Sequence, residues 1–167
     1  MNPFSVVRYL MMVYRFTRSA KEYTKEDQEI LAQIPEQYHP RIRSVGRRIV
    51  AYAAAGVGIV VVGVPVIAPI IVMITAGIPA KDAMFRGIML LCFAPLTFFF
   101  GIFWGASFGV AMTPAWYLRS PLGARWRELC GASSVNACRA ISYVVFVVGL
   151  GVIAMLVWLV RSMAPFR

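Results

Sequence analysis

Acidic residues, histidine and cysteine are scarce in this chain of 167 residues: seven Asp and Glu, one His and three Cys. Where charge is missing matters more than how little there is. No Asp, Glu, His, Lys or Arg falls between Ile49 and Ile78, between Ile88 and Leu118, or between Ala140 and Val160. Ionisable residues inside apolar spans mark proton relays and ion paths. Their absence argues against a proton-coupled carrier, a redox pump or a charged filter. The single histidine, His39, leaves little for imidazole catalysis. A Ser–His pair would have to carry His39 to Ser133 or Ser134, and those serines read more simply as caps of the helix that follows. A lipid-handling enzyme would need His39, Ser133, Glu128 or Asp82 to converge on a substrate, and Asp82 is expected on the other side of the membrane. Cys130 and Cys138 lie eight apart with no second pair and no adjacent histidine, which misses zinc-site spacing. Cys92, inside an apolar run, reads as a small apolar side chain. No phosphate-binding loop or dinucleotide fingerprint occurs. The sequence therefore predicts no catalytic, cofactor-binding or metal-ligating residue, no cofactor, and a chain that is not an enzyme.

What is abundant is apolar surface. Hydrophobic residues make up 60 % of the chain and mean hydropathy is +0.72. An ordinary soluble domain runs at roughly 45–50 %. The excess sits in three blocks, which predicts an all-α membrane protein with three transmembrane helices. The first run starts too far into the chain for a cleavable leader. The expected division is a cytoplasmic segment 1–48, a first span 49–78, an external loop 79–87, a second span 88–118, a cytoplasmic loop 119–139, a third span 140–160 and an external tail 161–167. Within 1–48, an amphipathic helix is expected over about 4–20. Arg8, Arg15 and Arg18 share one of its faces, and Phe4, Val7, Leu10, Met11 and Tyr14 line another, which suits a helix lying in the headgroup plane. A short helix over 25–34 and a linker through Pro40 and Gly46 should follow. In the 119–139 loop, Ser120 and Pro121 can open a short helix, with Leu122, Trp126 and Leu129 on one face and Gly131 to stop it.

Two features shape the spans. Gly101, Gly105 and Gly109, four apart in GIFWGASFG, form a tandem GxxxG that lets another backbone approach closely. Ala51/Ala55 and Ala54/Gly58 repeat the small-xxx-small spacing in the first span. These residues predict a helix-packing interface, either with the chain's own first span or with another subunit. The second feature is GVPVIAPIIV, with Gly63, Pro65 and Pro69. Each proline removes an N–H, leaving the carbonyls of Val61 and Pro65 without their helical partners. One span bent at this point is expected, rather than a re-entrant hairpin.

The net charge is +10. Flanking apolar spans, that excess reads as membrane anchoring rather than nucleic-acid binding. Arg8, Arg15, Arg18, Arg41, Arg43, Arg47, Arg48, Arg125 and Arg127 are the candidate contacts to anionic headgroups or to an acidic partner surface. Thirteen Lys and Arg fall in segments 1–48 and 119–139, against four on the opposite side. The positive-inside rule then puts the N-terminus in the cytoplasm and the C-terminus outside. Arg outnumbers Lys 14 to 3, which with the Ala/Gly/Val-rich spans hints at a bacterial inner membrane. The functional expectation is a non-enzymatic integral membrane subunit or assembly factor of a larger complex. Its partners would be membrane lipids and other membrane subunits, a second copy of itself included. A homo-oligomeric channel or transporter component is the alternative, motivated by the glycines, the prolines and FFFGIFW as a hydrophobic gate.

Overall fold

The computed structural model describes residues 3–17 and 24–162. Among them there is no strand, and nine α-helices follow in order: α1 Pro3–Thr17, α2 Lys25–Ala32, α3 His39–Val57, α4 Val64–Ala76, α5 Ala80–Leu91, α6 Ala94–Ala111, α7 Ala115–Arg119, α8 Pro121–Cys130 and α9 Val135–Ser162. Three helical stretches are long and apolar enough to cross a membrane: Glu36–Ala76, Ala94–Ala111 and Val135–Ser162.

Prolines set most of the boundaries. The segment expected to be a linker is helical, and the first long helix runs for 41 residues from Glu36. Pro40 sits in the first turn of α3, where its missing N–H would have had no partner anyway. Gly46 does not break the helix. A Cβ there would stand 3.0 Å from Cγ1 of Val13, so the glycine admits α1 close to α3. Between α3 and α4 the helix widens into a six-residue π turn, Gly58–Gly63, immediately ahead of Pro65. The wider register loosens the turn that proline would otherwise crowd. The expected 79–87 loop is mostly helix, because only Gly77, Ile78 and Pro79 separate α4 from α5, with Gly77 left-handed at φ 62°. The expected second span is not continuous. Pro95 in the first turn of α6 cannot donate back into α5, and the chain turns at Cys92 and Phe93. Pro114, extended at ψ 149°, separates α6 from α7. Ser120 then caps α8 by accepting the Gly123 N–H at 3.3 Å, and Gly131 at φ 65° ends it. Ser134 accepts the Ala137 N–H at 3.1 Å and opens α9.

The long helices run antiparallel. Gly109 meets Ile49, Gly105 meets Tyr52 and Ala53, and Gly101 meets Gly56 and Val57. Further along, Gly87 of α5 rests on Pro65 and Pro69 of α4. α9 lies across both limbs, with Trp104 of α6 against Gly149 near its middle. α1, expected to be an amphipathic helix, runs along α3, its start beside Phe99 and its end beside Gly46. The reason is a further apolar stripe, Val6, Tyr9, Val13 and Phe16, all buried in the bundle. Phe4, Met11 and Tyr14 on the other side remain exposed.

Candidate functional site

The α3–α6 seam brings two helix backbones into direct contact. A Cβ at Gly105 would fall 2.2 Å from the Tyr52 carbonyl oxygen, and one at Gly101 would fall 2.8 Å from the Val57 Cα. Glycine is required at both because backbone meets backbone. The first-span residues in this seam are Ile49, Tyr52, Ala53, Gly56 and Val57. Ala51, Ala55 and Gly58, singled out by spacing, lie on the opposite side of the helix and are exposed. Nothing approaches within 4 Å of where a Gly58 Cβ would be. At 100° per residue the two sets differ by roughly half a turn. Small-residue spacing marked the helix correctly and its inward face wrongly, because Gly56, spaced five from Ala51, carries no such pattern.

The proline stretch is also a packing device. Pro69 deprives the Pro65 carbonyl of its helical donor. A Cβ at Gly87 would lie 2.5 Å from that oxygen and 3.1 Å from Cγ of Pro69. With glycine there, no side chain stands between the two backbones. Gly63 has helical φ and ψ and 3.7 Å of clearance, so its lack of a side chain is not demanded locally.

Three predicted arginines come together. Arg8 and Arg15 of α1 and Arg125 of α8 line a cavity of about 390 Å³, with Tyr9, Met12 and Leu129 as its apolar wall. Glu128 shares it, and its carboxylate stands 3.7 Å from Arg125. Arg41, Arg47 and Arg48 are exposed on α3 and Arg43 is half-buried. Arg127 borders a different cleft, with Ala132 and Ser133. Arg18 lies outside the described residues. His39 is committed locally, its Nε2 standing 2.9 Å from the Ile34 carbonyl oxygen.

Several anchoring residues carry no motif. Arg86 is 3 % exposed and donates from Nη1 to the Val160 carbonyl at 2.6 Å, with the Arg161 carbonyl at 3.4 Å. It caps the last turn of α9 with a positive charge, where the helix dipole favours one. At the other end of α9, Arg139 donates from Nη2 to the Thr113 carbonyl. Trp104 donates from Nε1 to the Phe146 carbonyl at 2.9 Å and stacks on that ring at 5.2 Å. Below it, α1, α7, α8 and α9 meet in a buried polar cluster. Tyr9 and Tyr117 hydroxyls pair at 3.2 Å, the Tyr9 and Trp126 rings lie 5.0 Å apart, and Trp126 donates from Nε1 to Ser142 at 3.2 Å. Burial pushes the Tyr117 phenol up to about 12, and burial with the Tyr117 contact raises Tyr9. The only advance signal for this cluster was Trp126 on the inner face of a short helix.

Among the described residues, no group of three or more His, Cys, Asp or Glu could hold a metal ion. The chain matches no family model, and no curated protein or solved structure is significantly similar to it.

Proposed function

We propose that the protein is a non-enzymatic integral membrane subunit or assembly factor, acting through helix packing within the bilayer and an arginine-rich cytoplasmic face. The observation that carries this reading is the outward face of the first long helix. Ala51, Ala55 and Gly58 are exposed there, while the glycines of α6 are consumed within the chain. In lipid, a stripe of small residues forgoes side-chain contact but lets a second helix approach to backbone distance. The placement of arginines along α9 supports a spanning role. Arg139 and Arg161 are separated by about 33 Å at 1.5 Å per residue, against a hydrocarbon core of about 30 Å. In this reading Arg8, Arg15 and Arg125 sit at the cytoplasmic headgroups and the C-terminus is external, the orientation that the asymmetry of Lys and Arg supports. A bacterial inner membrane suits the composition.

The test is mild-detergent extraction from the native membrane, followed by native mass spectrometry. A stoichiometric partner is expected, and it should be lost in an Ala55→Leu, Gly58→Leu double variant whose helical content is unchanged. A second copy as that partner, together with conductance in liposomes, would turn the reading to a homo-oligomeric channel. A lone chain, or a partner indifferent to the double variant, removes it.

A further inference from the structure

Arginine is arranged in two ways on this protein. Arg41, Arg47 and Arg48 stand exposed along α3. Spread over one helix, such residues attract anionic headgroups without selecting one. Arg8, Arg15 and Arg125 instead share a concave site, the cavity of about 390 Å³ lined by α1 and α8. That volume falls within the range of about 300–1,000 Å³ common to small-ligand sites. Arg8 and Arg15 are two turns apart on one face of α1, about 10.5 Å along its axis. Arg125 faces the same space from α8. Among the described residues of the lining, Glu128 is the one carboxylate. It stands 3.7 Å from Arg125, and the two side chains are 68 % and 49 % exposed. Water screens such a pair, so an arriving anion can displace it. Guanidinium forks match phosphate oxygens two at a time, which a carboxylate-lined or neutral cavity could not do.

The rest of the site is apolar, and its depth suits a lipid. Tyr9, Met12 and Leu129 line the cavity. Phe4 and Met11 are exposed and lie within about 60° of Arg8 around α1. A soluble anion would leave that strip of α1 uncovered, whereas an acyl chain would cover it. The Tyr9 ring lies 5.0 Å from Trp126, which donates to Ser142 of α9 at 3.2 Å. Ser142 is three residues beyond Arg139, about 4.5 Å along the helix axis. The cavity is therefore level with the end of α9 that Arg139 marks, where headgroup gives way to hydrocarbon. We propose that this cavity is a selective site for one anionic phospholipid. Its phosphate is held by Arg8, Arg15 and Arg125, and its acyl chains run along Phe4 and Met11. A concave site of this size takes a headgroup, where an acidic protein surface would need a broad, flat one. This rests on the membrane placement proposed above, and adds a chosen lipid to it.

The test inserts the full chain into nanodiscs holding a minority of phosphatidylglycerol in phosphatidylcholine of matched acyl chains. Lipids that stay bound are read by native mass spectrometry. One phosphatidylglycerol per chain is expected, enriched over its share of the bilayer. Retention should fall about fivefold for each arginine removed, in Arg125→Gln and in an Arg8→Gln, Arg15→Gln double variant. Glu128→Gln removes the competing carboxylate and should raise retention, a gain that a misfolded chain would not give. Arg47→Gln with Arg48→Gln should change nothing. Three outcomes overturn the proposal: no enrichment in a chain that has entered the nanodiscs, an equal loss in the Arg47 and Arg48 variant, or an adduct of inorganic phosphate in detergent without any lipid preference. A chain that enters no nanodisc would overturn the membrane placement itself, so the two failures are told apart.

Discussion

The two ends of the bundle are built differently. Around Trp126, helices α1, α3, α6, α7 and α8 and the start of α9 close one continuous core, with Tyr117, Leu118, Leu122 and Trp126 almost wholly buried. At the other end, α4, α5 and the end of α9 share a smaller buried apolar cluster of Val64, Ala68, Val72, Leu90 and Val160. Ile70, Ile71, Ile74, Met84 and Ile88 are exposed around them. The first end gains its burial from short amphipathic helices laid over the long ones. The second has no such cover and is held by point contacts, Gly87 on Pro65 and Arg86 on the end of α9. The long helices reflect this. The most apolar stretch of α9 is 11 % buried, against 39 % for α6. An apolar helix left this open within its own chain has its remaining surface available to lipid or to other helices.

The largest expected effect tests the seam shared by both ends. Gly105→Leu puts a side chain where a Cβ already meets the Tyr52 carbonyl at 2.2 Å. Because backbone cannot yield locally, a loss of about 3 kcal/mol or more is expected, read as thermal unfolding in detergent. Arg86→Met should act next most strongly, and only at the open end. It leaves the buried Val160 carbonyl without its donor, at a cost of about 1–3 kcal/mol. Amide exchange should accelerate in the last turns of α9 and not around Trp126. Equal acceleration at both ends would mean that they are not separate units.

Alkaline pH should weaken the covered end alone. The Tyr9 and Tyr117 phenols are raised in the folded state above the ordinary value of 10.0, Tyr117 to about 12. The unfolded chain therefore loses these protons first, near pH 10. Stability is flat below that pH and falls as pH rises towards 12. Unfolding midpoints should show this fall, and Tyr9→Phe with Tyr117→Phe should flatten it. An unchanged slope would remove the buried pair as its cause.

How much could be read in advance differs between these ends as well. The long helices, the Ser120–Pro121 start and the Gly131 stop of α8 follow from local chemistry: apolar run length, caps, and the glycine that tolerates positive φ. The α6 glycines were legible as a close-packing face for the same reason. Their counterpart was not. Ala51 and Ala55 have the right spacing, yet Ile49, Ala53 and Gly56 turn inward, because the face a helix buries depends on what stands opposite. Arg86 was hidden too, since its partners, the last carbonyls of α9, lie some seventy residues away in sequence. α1 displayed two apolar stripes, and choosing between them required the groove that Gly46 opens.

The sequence by itself determined that the chain is helical, with three stretches long and apolar enough to cross a membrane. It also placed the Ser120–Pro121 start and the Gly131 stop of α8, because a cap, a proline at the first position and a left-handed glycine act within a few residues. Only the tertiary structure decided which faces turn inward, that the double proline meets Gly87, and that Tyr9 meets Tyr117 and Trp126. Those outcomes depend on side chains far apart in the chain competing for the same space, and no local pattern encodes that competition.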